Sequence, residues 1–346
     1  MLKIKKKALI VSPYLDHLGG GERYMLSVAS VLESLGHEIY FAWDNLAEIT
    51  HLAGMFGLTL THPQRDPRVM DLDHARNPLS MFLATRAYDV VVYLSDGSIP
   101  LLGGKHNILH MQVPFHGVKG RSWKNRLKKR FIHNIIVNSN FTKQVIDAEY
   151  NLNSLVLYPP VTPISPGIKE NIILSVGRFE PSLNTKHQDI LIQAFRALSP
   201  QLHGWKLVLV GASSNEDWVV KLKQLAVGLP VEFIVNAKYY ELCTMYSQAK
   251  IYWHAAGYSV DETKNPELTE HFGISTVEAI SAGCLPLVIP YGGQREIVTD
   301  PAFHWTTPQE LVSKTLVLTQ EHTHFSLDIS IYSSAHFYDQ LKKILA

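Results

Sequence analysis

Residues Pro266–Gly283 read PELTEHFGISTVEAISAG. The apolar spacing of Ile274, Val277, Ile280 and Ala282 predicts one face of a short helix that starts at Gly273. Gly283 stands where helices commonly end. Glu270 falls in the loop before this helix. Glu278 lies inside it, beside a stripe that would bury apolar side chains. The first amides of such a helix, near Phe272 to Ser275, lack intrahelical acceptors and carry the positive end of the helix dipole, which suits an anion. A phosphate docked there would leave Glu270 and Glu278 to accept hydrogen bonds from hydroxyls on either side. Taken singly, Glu270 would merely complement the dipole and Glu278 would pair with an arginine. The two together favour a ligand.

Working outward, the chain alternates strand and helix signals, the pattern of parallel sheets covered on both faces. In the first half, strands are expected at Ala8–Tyr14, Glu38–Ala42, Asp89–Leu94, Asn107–Met111 and Asn134–Asn138, with a helix at Gly20–Leu35. The glycine turn Gly19-Gly20-Gly21 feeds that helix and permits close backbone approach to a ligand. His110 ends a strand, and ligands of open α/β sheets bind beyond strand carboxyl ends. A hydrogen-bonded core histidine is the commoner outcome. LYPPVTPISPG, residues 157–167, contains four prolines and marks a stiff boundary. Beyond it the alternation restarts, with strands at Ile172–Gly177, Lys206–Gly211, Val231–Val235, Ile251–His254 and Leu285–Ile289.

The expected fold class is therefore α/β, with two doubly wound Rossmann-like domains facing a central cleft. Residues 1–160 would form the N-terminal domain and residues 161–328 the C-terminal domain. Residues 329–346 would supply a last helix, from Tyr332 to Leu345, returning to the first domain. The 346-residue length suits two domains of ordinary size.

Composition excludes several classes. With 46% hydrophobic and 18% charged residues the chain has ample core material. Residues 1–160 carry 18 Lys/Arg against 13 Asp/Glu, and the remainder 14 against 18, so nucleic acid is not expected as a partner. Cys243 and Cys284 form neither a metal spacing nor a disulfide framework, which fits a reducing cytoplasm. ALIVSP is too short for a secretory segment, and no stretch approaches the roughly 20 apolar residues of a spanning helix. KGRSWKNRLKKR, residues 119–130, holds seven basic residues in twelve. It is a solvated helix face or, on the sharper reading, a surface that meets anionic lipid headgroups or a phosphorylated acceptor. Asp71-Leu72-Asp73 has the form of a metal–diphosphate motif, but its polar surroundings read as a solvated loop.

The second half opens on SVGRFEPSLNTKHQDILIQAF, where Arg178 follows a strand and glycine and Lys186 precedes a helix. Two cations at the mouth of a strand–turn–helix unit suit a diphosphate, the arginine as a planar fork and the lysine as a point charge.

Together with EHFGISTVEAISAGCLPLV, GGQREIV, GGGER, NSNFTK and LYPPV, this stretch resembles the retaining family 4 glycosyltransferases of GT-B fold, over nearly the whole chain. The resemblance implies that Arg178 and Lys186 bind the donor diphosphate and stabilise the departing nucleotide. It implies that Glu270 holds donor-sugar hydroxyls, that Glu278 holds the ribose, and that Phe272, Gly273 and Ile274 offer backbone contacts. His110 and Gly19–Gly21 would line the cleft. Asn236 and Ala237 would border the base, with Asn236 in place of the usual glycine. His254-Ala255 stands where Pro-Ser is common, and the polar insert Tyr258–Pro266 exceeds the family minimum.

Similarity to mannosyltransferases of lipid-linked oligosaccharide synthesis favours GDP-mannose as donor, with a UDP-sugar as the other option. The acceptor would be a glycan or polyprenyl-linked hydroxyl. The resemblance implies no metal and no separate cofactor, transfer with retention, and a cytoplasmic enzyme peripheral to the membrane through Lys119–Arg130. Two other readings share the architecture: a non-catalytic nucleotide-sugar-binding module, and an epimerase or phosphorylase.

Overall fold

The computed structural model describes residues 5–13, 15, 19–66, 77–181, 186–213, 216–320 and 323–346. Asp71-Leu72-Asp73 lies outside these residues. The chain divides into two compact units, residues 1–160 with 334–346, and residues 161–333.

Among the described residues the first unit holds seven strands: β1 (Lys7–Val11), β2 (Glu38–Phe41), β3 (Gln64–Arg65), β4 (Val90–Leu94), β5 (His106–Met111), β6 (Asn134–Val137) and β7 (Leu155–Val156). They pair in parallel in the order β3-β2-β1-β4-β5-β6-β7. The chain reverses direction across the sheet between β1 and β4, which is a topological switch point. Helices α1 (Gly20–Ser34), α2 (Leu46–Met55), α3 (Pro78–Thr85), α4 (Trp123–Lys129) and α5 (Asn140–Tyr150) belong to this unit. β1 and β4 are Val/Ile/Leu runs with almost every residue buried, as strands covered on both faces must be. On one face, α1 buries Met25, Val28, Ala29 and Leu32 against Ala8, Ile10 and Val92.

Among the described residues the second unit carries five strands: β8 (Glu170–Val176), β9 (Lys206–Gly211), β10 (Val231–Val235), β11 (Ala249–His254) and β12 (Leu285–Val288). Their parallel order is β10-β9-β8-β11-β12, so the switch point lies between β8 and β11. Its helices are α6 (Gln188–Leu198), α7 (Glu216–Leu225), α8 (Tyr239–Gln248), α9 (Ile274–Ser281), α10 (Gln294–Ile297) and α11 (Pro308–Gln320). Two fully buried indoles, Trp253 and Trp305, fill this unit, and Trp253 donates to the Thr315 hydroxyl of α11 at 3.1 Å.

The last helix, α12, runs Ser334–Leu345 and belongs to the first unit. Phe337 and Leu341 pack into the same core as α1, and the Phe337 ring meets Tyr24 edge-on at 5.5 Å. The helix begins two residues later than expected. Tyr332 lies in a 3-10 turn of the second unit, where its backbone carbonyl accepts from the Val161 amide at 2.7 Å.

Candidate active site

The site is built on the carboxyl rim of the second sheet. Because the strands are parallel, the residues following β8, β9, β10 and β11 emerge at one edge. Arg178 follows β8, Asn236 follows β10 and His254 ends β11.

Gly177 lets the chain turn there. A Cβ on it would meet the Lys186 Cγ at 2.6 Å, so the lysine stem lies across this glycine. Gln188, 2% exposed, donates from its amide to the carbonyls of Arg178 and Gly177 at 2.9 and 3.3 Å and fixes the turn. The Arg178 side chain is exposed and makes no ion pair among the described residues.

Lys186 Nζ lies 2.6 Å from Glu270 Oε2, with the two side chains 17% and 15% exposed. His254 Nε2 is 3.0 Å from the same oxygen, and its ring is 2% exposed. Burial would raise the Glu270 carboxyl, but the Lys186 charge, reinforced by His254, holds it well below the usual carboxylate range. Burial in turn lowers His254, against the pull of Glu270 in the other direction. At neutral pH the arrangement is a carboxylate gripped by one ammonium, with a neutral imidazole whose Nε2 stands 3.0 Å away. The sequence reading noted His254 only as a departure from Pro-Ser. Its position at the end of β11, beside the switch point, was the signal that could have promoted it.

The loop carrying Glu270 is held from behind. The Gly293 amide donates to the Glu270 carbonyl at 2.7 Å. At Gly292 (φ +64°) a Cβ would stand 2.1 Å from that carbonyl oxygen. Gly273 caps α9 at φ +119°, where a side chain would be strained and would press on Gln294. Ile274 and Ser275, the first residues of α9, present backbone amides that find no acceptor among the described residues. They form the open anion-attracting end expected of this helix. The Phe272 ring is 3% exposed and packs edge-on against Tyr332 at 5.2 Å, so the ring serves packing.

Asn236 explains its own departure from glycine. Its backbone is left-handed, at φ +56°, a conformation that asparagine tolerates better than other side chains. Its Oδ1 also accepts from the Ser213 amide at 3.0 Å, tying together the ends of β9 and β10. Ala237 packs partly buried against the hydrophobic core of the unit.

Two expectations need correction or refinement. Glu278 is inside α9 and only 4% exposed. Burial and then the Glu278 carboxylate push the Tyr246 phenol well above its usual range, which places the glutamate beside that ring, in the interior of the unit. His110 is fully buried rather than lining a cleft. Its ring stacks on Tyr24 at 4.0 Å and 5° between planes, and Nδ1 lies 3.3 Å from the Ile136 carbonyl. Burial lowers it to about 3, so it is a neutral core side chain. The aromatic at position 24, one helical turn into α1, is what closes over it.

Gly19 caps α1, and Gly20 and Gly21 open it. A Cβ on Gly21 would meet the Gln112 side-chain amide at 2.6 Å, so this glycine is needed for packing. These glycines and His110 belong to the first unit, whereas Lys186, Glu270, His254, Arg178 and Asn236 share one rim of the second.

Residues 164–314 match the family described as Glycosyl transferases group 1. The GDP-Man:Man(3)GlcNAc(2)-PP-Dol alpha-1,2-mannosyltransferase of Xenopus laevis is 31% identical over 188 residues, covering 48% of this chain and 36% of that protein. The chain thus spans about a third of the length of that relative. The structure of a glycosyltransferase from Rickettsia africae aligns over 99% of this chain and 94% of its own, with a TM-score of 0.67 at 16% identity. The pneumococcal O-GlcNAc transferase GtfA, solved with UDP and GlcNAc, aligns over 99% and 98% with a TM-score of 0.69 at 13% identity. Residues 164–314 therefore match the glycosyl transferases group 1 family model, within a chain whose two parallel-sheet units have the GT-B fold.

Proposed function

We propose that the chain transfers mannose, with retention, from GDP-mannose to a hydroxyl of a lipid-linked glycan. The observation that carries this reading is the Lys186–Glu270 pair with His254 at the switch point of the second sheet, beside the open amides of α9. The likeness to a mannosyltransferase named for GDP-Man and a dolichyl-linked acceptor supports the donor and acceptor class.

In this reading the donor diphosphate lies between Arg178, Lys186 and the amides of Ile274 and Ser275. Cations and oriented amides aimed at charge that develops on the leaving group stabilise the transition state more than the ground state. Lys186 turns from Glu270 to phosphate. Glu270 then accepts from the sugar hydroxyls, with His254 keeping its carboxylate oriented. Asn236 and Ala237 border the base. The departing phosphate receives the proton of the acceptor hydroxyl as the new bond forms on the same face. The test is incubation with a polyprenyl-diphosphate-linked mannosyl acceptor and, in turn, GDP-mannose and UDP-sugars. Mannose incorporation from GDP-mannose alone is expected. Transfer from a UDP-sugar alone would overturn the donor assignment.

A lipid-borne acceptor calls for a surface that meets membrane, and the first unit carries a suitable one. Trp123 and Leu127 on α4 and Leu79 and Leu83 on α3 are 68%, 48%, 58% and 56% exposed. Phe82 and Phe131 join the two helices at 5.5 Å. Residues 77–88 and 118–131 contain no Asp or Glu. Arg121 and Lys129 are spent on the carbonyls of Ala148 and Asn151, which anchors the segment. Lys119, Lys124, Arg126, Lys128 and Arg130 make no ion pair among the described residues. Apolar side chains flanked by unpaired cations suit an anionic interface at about 1 kcal/mol per cation near the surface. No helix among the described residues is long and apolar enough to cross a membrane. Sedimentation with phosphatidylcholine vesicles, with and without phosphatidylglycerol, tests this. Binding confined to the anionic vesicles and lost in Trp123→Ala/Leu127→Ala supports it, and equal binding by that variant removes it.

A further inference from the structure

The polar insert between β11 and α9 has no role in the site described so far, yet its side chains touch His187, next to Lys186, and Gly292, next to the Gly293 amide that holds the Glu270 carbonyl. The Tyr258 ring packs edge-on against His187, the neighbour of Lys186, at 5.8 Å, and lies tilted on Trp305 at 5.9 Å. Glu262 Oε2 accepts from the Gly292 amide at 3.0 Å, and Oε1 pairs with Arg295 Nη2 at 2.7 Å. The Glu262 side chain is 17% exposed. The insert itself is folded tightly enough to hold it there. Asp261 Oδ1 accepts from the amide and hydroxyl of Thr263 at 3.1 and 2.7 Å, and the Asn265 amide returns to the Asp261 carbonyl at 2.9 Å.

Glu262 grips a turn that matters. Gly292 and Gly293 lie against the backbone of Glu270, His271 and Phe272 with no room for a Cβ at either position. Next in the chain is Gln294, fully buried, which donates to the Thr276 hydroxyl in the first turn of α9 at 2.9 Å. The turn at 292–294 is therefore the backing against which both the Glu270 loop and the start of α9 are laid. Glu262 ties its first amide and, through Arg295, its far side.

We propose that Glu262 is a positioning residue for the donor-sugar subsite. It sets the Glu270 carboxylate through Gly292 and Gly293, and the insert Tyr258–Pro266 is a strap that fixes how that carboxylate meets the sugar. The functional half of this statement rests on the glycosyltransferase reading above. The structural half does not.

The experiment has two readouts. Hydrogen exchange on the ligand-free protein compares wild type with Glu262→Ala and Glu262→Gln. The expected result is exchange about fivefold or more faster in Glu262→Ala across residues 270–277 and at Gly292 and Gly293, with β8 and α6 unchanged. Glu262→Gln, which keeps an acceptor for the Gly292 amide, should fall between. Uniform change over the whole unit, or none at 270–277, would overturn the positioning role whether or not the chain is a transferase.

The second readout is calorimetric binding of GDP and GDP-mannose. Glu262→Ala should weaken GDP-mannose about tenfold and GDP less than twofold, because the loss falls on the sugar contact. In a Glu270→Gln background the same substitution should cost less than twofold, since coupled residues are not additive. Equal losses for both ligands, or full additivity, would sink the sugar-subsite assignment. If wild type binds neither GDP nor GDP-mannose, the donor assignment and its sugar-subsite corollary both fall, and the exchange result still decides the tether.

Discussion

Two histidines stand at or next to the carboxyl ends of parallel strands, His254 at the end of β11 and His110 one residue short of the end of β5, and they do opposite things. Both are almost wholly buried. His110 faces the flat ring of Tyr24, so its environment offers dispersion and one backbone carbonyl, and the imidazole stays neutral down to about pH 3. His254 faces the Glu270 carboxylate at 3.0 Å, where the same kind of burial is opposed by a charge that rewards a proton on the ring. Strand position selects where a histidine points. The group opposite decides whether it is packing or chemistry.

The comparison is broken most severely by removing the cation on the other side of Glu270. Lys186→Ala should leave that carboxylate buried with only an imidazole to answer it, and turnover should fall about 10²-fold or more. Steady-state rates with saturating donor measure this, and an unchanged kcat would take Lys186 out of the mechanism.

His254→Phe keeps the ring volume and deletes the Nε2 that faces Glu270. Turnover should drop about tenfold, the scale of one charge-assisted hydrogen bond of roughly 1.5 kcal/mol. His110→Phe, the matching change in the first unit, should leave kcat within about twofold. Similar losses in the two variants would erase the distinction between them.

The difference also has a pH signature. An unfolded histidine takes up a proton near pH 6.5, whereas folded His110 resists until about 3. Between those values the unfolded state binds the extra proton, so stability from this site is full above about pH 6.5 and is lost as pH falls, at a slope approaching 1.4 kcal/mol per pH unit. In chemical denaturation from pH 7 to 4.5, His110→Phe should lose stability less steeply than wild type. Parallel curves would mean that His110 already protonates in the native state.

The smallest effect is expected at Asn236. Asn236→Gly retains access to φ +56° and loses only the Ser213 contact, so stability should change by less than about 1 kcal/mol. Asn236→Val, branched at Cβ, should cost more than the glycine variant, as thermal denaturation would report.

Much of this was legible in the residues. Strand β9 falls where its Leu/Val run places it, because a strand buried on both faces must be apolar throughout. The helix after Gly273 was readable because its apolar spacing and both terminal glycines agree. Lys186 and Glu270 were separately visible, but their contact at 2.6 Å joins residues 84 apart and depends on strand order. Helices α2, α3 and α11 went unread. α2 and α3 each bury two or three side chains, and α11 alternates polar and apolar residues without a clean stripe. The fate of His110 was hidden because its partner, Tyr24, lies 86 positions upstream on a different element. Nothing local marks which histidine a distant tyrosine will cover.

The central claim is that a nucleoside diphosphate is held in the second unit by Arg178, Lys186 and the first amides of α9. Calorimetric titration of GDP into wild type, Arg178→Ala and Lys186→Ala addresses it directly. The account predicts a single GDP site weakened about tenfold or more by each substitution. A GDP site indifferent to both changes, or no GDP site at all, would contradict it.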